Sequence, residues 1–192
     1  MTLFNPEIIS AAGFSPCGKY RYWLTRTWDT ERSQLAWIML NPSTADASAN
    51  DPTIRKCMGF ARDWGYGGII VVNLFAYRTA YPSELRTVAD PVGPDNDREI
   101  LRWVDDAAEV VAAWGSNQYI GERDREVLRL LKDRAPKCLG TTNEGCPRHP
   151  LYVKGDVTPL HYPAKIARRA NPFRVMKEFI RDKGCGETDG QP

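Results

Sequence analysis

Three short apolar runs stand out along the chain: Leu35–Leu40 (LAWIML), Ile69–Val72 (IIVV) and Glu109–Trp114 (EVVAAW). Each is almost free of polar positions, as a strand is when both of its faces are buried under helices. Between the runs the period lengthens to that of a helix. Asp51-Pro52 opens one, with Asp as the cap and Pro at the first helical position, where its missing donor costs nothing. Ile54, Cys57, Met58 and Ala61 then form an apolar stripe that Trp64-Gly65 closes. A second helix is predicted over Asn96–Asp106, turning Ile100, Leu101 and Val104 inward, and a third over Glu122–Lys132 with Val127, Leu128, Leu130 and Leu131.

Weaker patterns fill in the rest. Lys19–Trp28 (KYRYWLTRTW) alternates large apolar and polar side chains and reads as a strand antiparallel to the next one, with Thr30–Ser33 as its turn. Ser83–Thr87 is a short helix, VADPVGPDND a Pro/Gly loop, and Lys137–Gly140 a short strand. Ala164–Ala170 and Pro172–Arg181 read as closing helices, and residues 184–192 (GCGETDGQP) as a disordered tail. Strands alternating with helices predict one domain over residues 1–183, a three-layer α/β/α fold around a central, mostly parallel sheet with an N-terminal antiparallel strand or hairpin. In such folds ligands bind beyond the carboxyl ends of the strands. That rule gathers the NPST segment, Asn73–Arg78, Gly115-Ser116-Asn117 and the loop through His149 on one rim.

The rim residues suggest a chemistry. Asn41-Pro42-Ser43-Thr44 follows a core strand directly, and Asn41 presents an amide that both donates and accepts. Asn73 ends the next strand, where a carboxamide matches the edge of a planar ligand such as a nucleobase; Phe75 and Tyr77 are near enough in sequence to stack on it. Arg148-His149-Pro150 holds one of only two histidines, a candidate neutral donor to a developing oxyanion. Asp46, Arg78, Trp114 and Gly115 complete the rim candidates. His161, in PLHYP, is read as structural.

Composition narrows the picture further. There is no GxGxxG, P-loop, GxSxG, HExxH or paired Cys/His spacing among the 192 residues, so neither a cofactor nor a metal is expected. Five cysteines without a CxxC pair read as reduced thiols. MTLFNPEIIS lacks a basic flank and an apolar core, and no apolar run spans a membrane, so a soluble cytoplasmic protein without membrane contact is expected. Arg148 to Lys183 carries nine Lys/Arg against three Asp/Glu on a chain of net charge +2, leaving −4 for the remainder. A basic segment of this kind suits a polyanionic partner such as DNA or a nucleotide. Nothing in the sequence fixes the oligomeric state.

Long motifs carry a resemblance to a known family. FSPCGKYRYWLTRTWD, MLNPSTADASANDPTIRKCMGFARDWGYGG, VVNLFAYR, DPVGPDND, VVAAWG and CLGTTNEGCPRHPLY together resemble the bacterial and phage family called domain of unknown function sixteen forty-three. More distantly, LNPST, IIVVNLFAYR, VVAAWGSNQ and RHPLY match the order of landmarks in the uracil-DNA glycosylase superfamily. In that superfamily an Asn or Asp precedes Pro after the first strand, a strand-ending Asn reads the base, and a late His-Pro loop acts on the leaving base. Asn41, Asn73, Trp114-Gly115 and His149-Pro150 stand at the matching positions; Leu151-Tyr152 replaces the Ser-rich continuation. The resemblance implies a uracil-DNA-glycosylase-like fold and an N-glycosidic hydrolysis in DNA, with Asn41 and His149 catalytic and Asn73, Phe75 and Tyr77 binding the base. A non-catalytic module that binds a modified base beside DNA modification, and an enzyme of free nucleotides, remain open at this point.

Overall fold

The apolar runs become the centre of a seven-stranded sheet. In a computed structural model that describes residues 7–43, 49–131 and 134–163, the strands are β1 (Ile9–Phe14), β2 (Arg21–Thr27), β3 (Gln34–Met39), β4 (Gly68–Asn73), β5 (Glu109–Ala112), β6 (Lys137–Cys138) and β7 (Leu160–His161). Three helices join them: α1 (Pro52–Asp63), α2 (Asn96–Asp105) and α3 (Arg123–Leu130), with short 3₁₀ turns at Pro82–Arg86 and Pro150–Tyr152. The expected closing helices and the tail lie outside the described residues, as do Thr44 and Asp46. Among the described residues no helix is long and apolar enough to cross a membrane.

The strand order is β1-β2-β4-β3-β5-β6-β7. β4, β3, β5 and β6 run parallel to one another, while β1 and β2 at one edge and β7 at the other are antiparallel. The sheet is therefore mixed: β1–β2 is the expected N-terminal antiparallel hairpin, while the further antiparallel pairs β2–β4 and β6–β7 correct the expectation of a mostly parallel sheet. The reason is local. β1 (ISAAGF) is half exposed and small-residue-rich, and β7 is two residues long, so neither carries a periodic signal. The strand predicted over Lys19–Trp28 is β2; it is antiparallel, but its partners are β1 and β4 rather than β3.

Alternation along the parallel strands separates two cores. Leu35, Trp37 and Met39 of β3, with Ile69 and Val71 of β4, face α1 and its Ile54, Cys57, Phe60 and Ala61. Ala36 and Ile38, with Ile70 and Val72, face the opposite layer, where Ile100 and Val104 of α2 and Val127 of α3 pack. Helices thus cover both faces of the central strands, which is why those strands have no polar face. Asp51 caps α1 as predicted, its Oδ1 accepting from Ile54 N at 2.8 Å. Trp37 is fully buried against Phe60 and Trp64. Leu101 departs from its predicted inward position and stays on the surface.

The connections place the site. β3 passes through α1 to β4 on one side, and β4 passes through α2 back across β3 to β5 on the other, so the strand order reverses at β3. The crevice beyond the carboxyl ends of strands at such a reversal is where open α/β sheets bind ligands. Here the ladder continues past the strands: Leu74 N donates to Met39 O, Phe75 N to Leu40 O and Ala113 N to Ile38 O.

Candidate functional site

A cavity of ≈ 710 Å³ opens at those strand ends. Its volume lies within the range of sites for small organic ligands. Of the residues singled out from the sequence, Asn41, Ser43, Asn73, Trp114, Gly115, Arg148 and His149 all line it. Four separate strand-end segments therefore meet at one place.

Asn73 closes β4 and is 1% exposed, yet its Nδ2 has no hydrogen-bond partner among the described residues. A buried amide donor without a partner costs on the order of 1–3 kcal/mol, and an orphan of this kind points to a partner that the protein itself does not supply. The backbone around it is held firmly. Asn96 Nδ2 donates to Asn73 O and to Leu74 O, both at 3.1 Å, and Arg123 Nε donates to Leu74 O at 2.8 Å. Arg123 is itself buried and paired with Asp97. So the DPVGPDND loop and the start of α3, which carry no chemistry of their own, fix the backbone from which the Asn73 carboxamide projects.

Asn41 comes just after β3 with both amide protons engaged: Nδ2 donates to Pro42 O at 3.0 Å and to Thr79 O at 2.8 Å. Its Oδ1 has no partner among the described residues and remains to accept from a water or a ligand. Thr79 N returns a bond to Pro42 O at 3.0 Å, which ties the NPST segment to the chain beyond β4. Pro42 is buried in this seam, and Ser43 faces the cavity.

Beyond β5, Trp114 is buried with its Nε1 unpartnered, and its ring meets Tyr162 edge-on at 5.7 Å. Gly115 comes next at φ 75°, a conformation that disfavours a Cβ, and a Cβ there would lie 3.3 Å from that of His149. Gly115 N donates to Pro147 O, pinning the RHP loop against the strand end. His149 caps the 3₁₀ turn, Nδ1 accepting from Leu151 N at 3.4 Å, so the neutral ring carries its proton on Nε2. Burial pushes the His149 pKa below the ordinary histidine range, against a smaller opposing pull from the Asp51 carboxylate. Arg148 is exposed and donates from Nε to Thr141 O.

Other candidates fall elsewhere. Phe75 is 5% exposed inside the core below α2 and does not line the cavity, which removes it as a stacking partner. Tyr77 packs edge-on against Tyr20 and lines, with Arg78, a separate neighbouring groove. The cavity instead gains residues that sequence reasoning missed. Arg21 of β2 is buried and lines it, as do Asp51 at the start of α1 and the exposed Tyr152, whose ring lies 5.7 Å from that of His149. Arg21 escaped notice because a cation in an alternating strand reads as solvent-facing. Tyr152 was visible as an aromatic two residues after His149-Pro150. Among the described residues no three His, Cys, Asp or Glu side chains are grouped to hold a metal ion. The four described cysteines are free thiols.

The molecule is thus an α/β protein whose strand-end cavity is built around a buried, unpartnered carboxamide. Residues 21–151 match the family described as Protein of unknown function (DUF1643), and the chain belongs to that family. The matched stretch contains every cavity-lining residue except Tyr152. No curated protein and no solved structure matches the chain.

Proposed function

We propose that the cavity recognises a nucleobase, and that the protein is a glycosylase-like hydrolase of the N-glycosidic bond of a modified base in DNA. The observation that carries this reading is Asn73: a carboxamide buried at a strand end, its donor unpartnered, in a cavity sized for a small organic ligand. A carboxamide in that setting pairs naturally with a base edge that offers one acceptor and one donor. The resemblance in landmark order to the uracil-DNA glycosylase superfamily supports the same reading, and so does the meeting of Asn41, Asn73, Gly115 and His149 around one cavity.

In this scheme the base leaves the helical stack to enter the cavity. Asn73 reads its edge. Stacking falls to the exposed Tyr152, since Phe75 lies in the core and the Trp114 ring is buried against Tyr162. The bond between the sugar C1′ and the base nitrogen breaks, its electron pair going to the base, and the Nε2–H of neutral His149 stabilises the charge that collects there. Water held by Asn41 Oδ1 adds its oxygen to C1′ and releases a proton to solvent. An amide is a weak base, but an oxocarbenium-like transition state needs a positioned water more than proton abstraction.

A second reading, base recognition without hydrolysis, is favoured by the engagement of Asp51. Its carboxylate lines the cavity but already accepts the Ile54 N–H as the cap of α1. One assay separates the two. Oligonucleotides bearing uracil, hydroxymethylated and hypermodified pyrimidines are incubated with the protein, and abasic sites are revealed by alkaline strand scission. The hydrolase reading predicts scission at one modified base, reduced about 10²- to 10³-fold by His149→Leu, as for the loss of one oxyanion donor. Wild type and Asn41→Ala equally inert across the panel would refute catalysis.

A further inference from the structure

The motif FSPCGKYRYWL has no part in the cavity beyond Arg21, yet it builds a structure directly beside it. Residues 15–20 form the tight turn between β1 and β2. Gly18, at φ 70°, donates its N–H to Ser15 O; Ser15 N donates to Tyr20 O, and Tyr20 N donates to Ser15 Oγ. The turn is then stitched to the chain leaving Asn73: Arg78 N donates to Lys19 O at 3.0 Å, Arg21 N donates to Ala76 O at 3.0 Å, and Tyr20 and Tyr77 pair as an antiparallel bridge. The Lys19 backbone is therefore held by the same segment that carries the Asn73 carboxamide.

Between this turn and the NPST segment lies a second depression of ≈ 450 Å³, lined by Lys19, Arg78, Tyr77 and Ser43 among others. It shares Ser43, Thr79 and Ala80 with the main cavity, so the two are contiguous. Their chemistry differs. The main cavity is lined by Asn73 and Trp114, whose buried donors have no partner among the described residues. The groove offers two exposed cations, and no Asp or Glu among the described residues lines it. Arg78 is braced rather than loose: its guanidinium lies 4.8 Å from the Phe14 ring centroid and donates once, from Nη1 to Gly18 O at 3.1 Å. Its other N–H groups have no partner among the described residues.

We infer that the groove of Lys19 and Arg78 holds a phosphate of the sugar-phosphate chain that carries the base in the main cavity. The inference rests on the base-recognition reading and sharpens it: the ligand is a base still attached to its backbone, and neither a free base nor a nucleoside fills both depressions. A braced guanidinium beside a lysine is well suited to a phosphodiester, which accepts from both without demanding a particular base. The same geometry requires the strand to be locally single, because the base must leave the stack while its phosphate stays on the rim.

The test uses a fluorescein-labelled single-stranded DNA of mixed sequence, the matching RNA, and a panel of nucleosides and nucleoside monophosphates, with affinity measured against salt. Counterion release gives a slope of log K on log salt of about −0.7 per phosphate contact for single strands. Lys19→Gln and Arg78→Gln together should shrink the magnitude of that slope by about 0.7, for the one phosphate lost, and weaken strand binding, leave nucleoside binding unchanged, and leave the melting temperature within error. Asn73→Ala should weaken strand and nucleoside alike with the slope intact. An unchanged slope in the double variant overturns the phosphate groove while the base-recognition reading stands. Binding of nucleosides as tightly as strands does the same. Failure of every probe to bind the wild-type protein overturns both.

Discussion

His149 shows how one residue's surroundings select its form. The ring is desolvated by the RHP loop and α1, which favours the neutral state, while the Leu151 N–H on Nδ1 leaves the proton on Nε2. With the folded pKa below the unfolded value of about 6.5, the preference for neutral His149 contributes stability above that pH and loses it as pH falls through the folded value. Ring resonances of the two histidines, assigned with His161→Gln, should give a His149 midpoint under about 6.5, with the melting temperature falling in parallel on acidification. A His149 midpoint above that range would mean the ring is charged at neutral pH and is no neutral donor. The residues around it were legible to different degrees. Asn41 and Asn73 stood out because polar side chains directly after apolar runs are unusual, and His149 as one of only two histidines, set between Arg148 and Pro150. Phe75 was misplaced because a strand-end aromatic looks the same in sequence whether it turns to the core or to the rim.

At the scale of elements, the carboxyl end of β4 is the critical joint. Its last carbonyls are received by two side chains from other segments: Asn96 at the start of α2 binds Asn73 O and Leu74 O, and Arg123 at the start of α3 binds Leu74 O. Both are buried, so these bonds lie out of water and their removal leaves acceptors unmet. Asn96→Ala is expected to destabilise the fold by about 1–3 kcal/mol, the cost of leaving the buried Asn73 O unmet while Leu74 O keeps its bond from Arg123, and to weaken ligand binding by letting Asn73 shift. Chemical denaturation checks the first effect, and titration well below the melting temperature checks the second. A loss under about 0.5 kcal/mol, within the range of an ordinary surface change, would show that the joint does not depend on Asn96. None of this is visible in the sequence. VGPDND reads as a loop and a helix cap, and a long-range bond from a cap residue to a strand end has no local signal.

Across the whole molecule, the central parallel strands and the helices on both faces were written in the sequence, because burial on two sides removes every polar residue from a strand and leaves a striped helix on either side. Of the antiparallel edges only β2, within the expected N-terminal hairpin, was legible. β1 and β7 are short, partly exposed and held by pairing rather than by an apolar face, so their pattern resembles loop. The site came from the topology: once β3, β4 and β5 are parallel with the order reversing at β3, their three carboxyl ends share one crevice, and residues distant in sequence meet there.

On the proposed reading, Asn73 is kept as a buried, unpartnered amide for the sake of a base. Asn73→Leu tests it directly, since Leu has nearly the same size and lacks the orphan donor. Calorimetric titration of wild type and variant with single-stranded oligonucleotides carrying the modified-pyrimidine panel is the measurement, with thermal melts run alongside. Asn73→Leu should melt at or above the wild-type temperature, because a buried unmet polar group has been removed, and should lose base-dependent affinity by about 10- to 100-fold, as for hydrogen bonds to a base edge. Equal affinity in wild type and variant, or a variant that binds normally but melts well below the wild type, would contradict it.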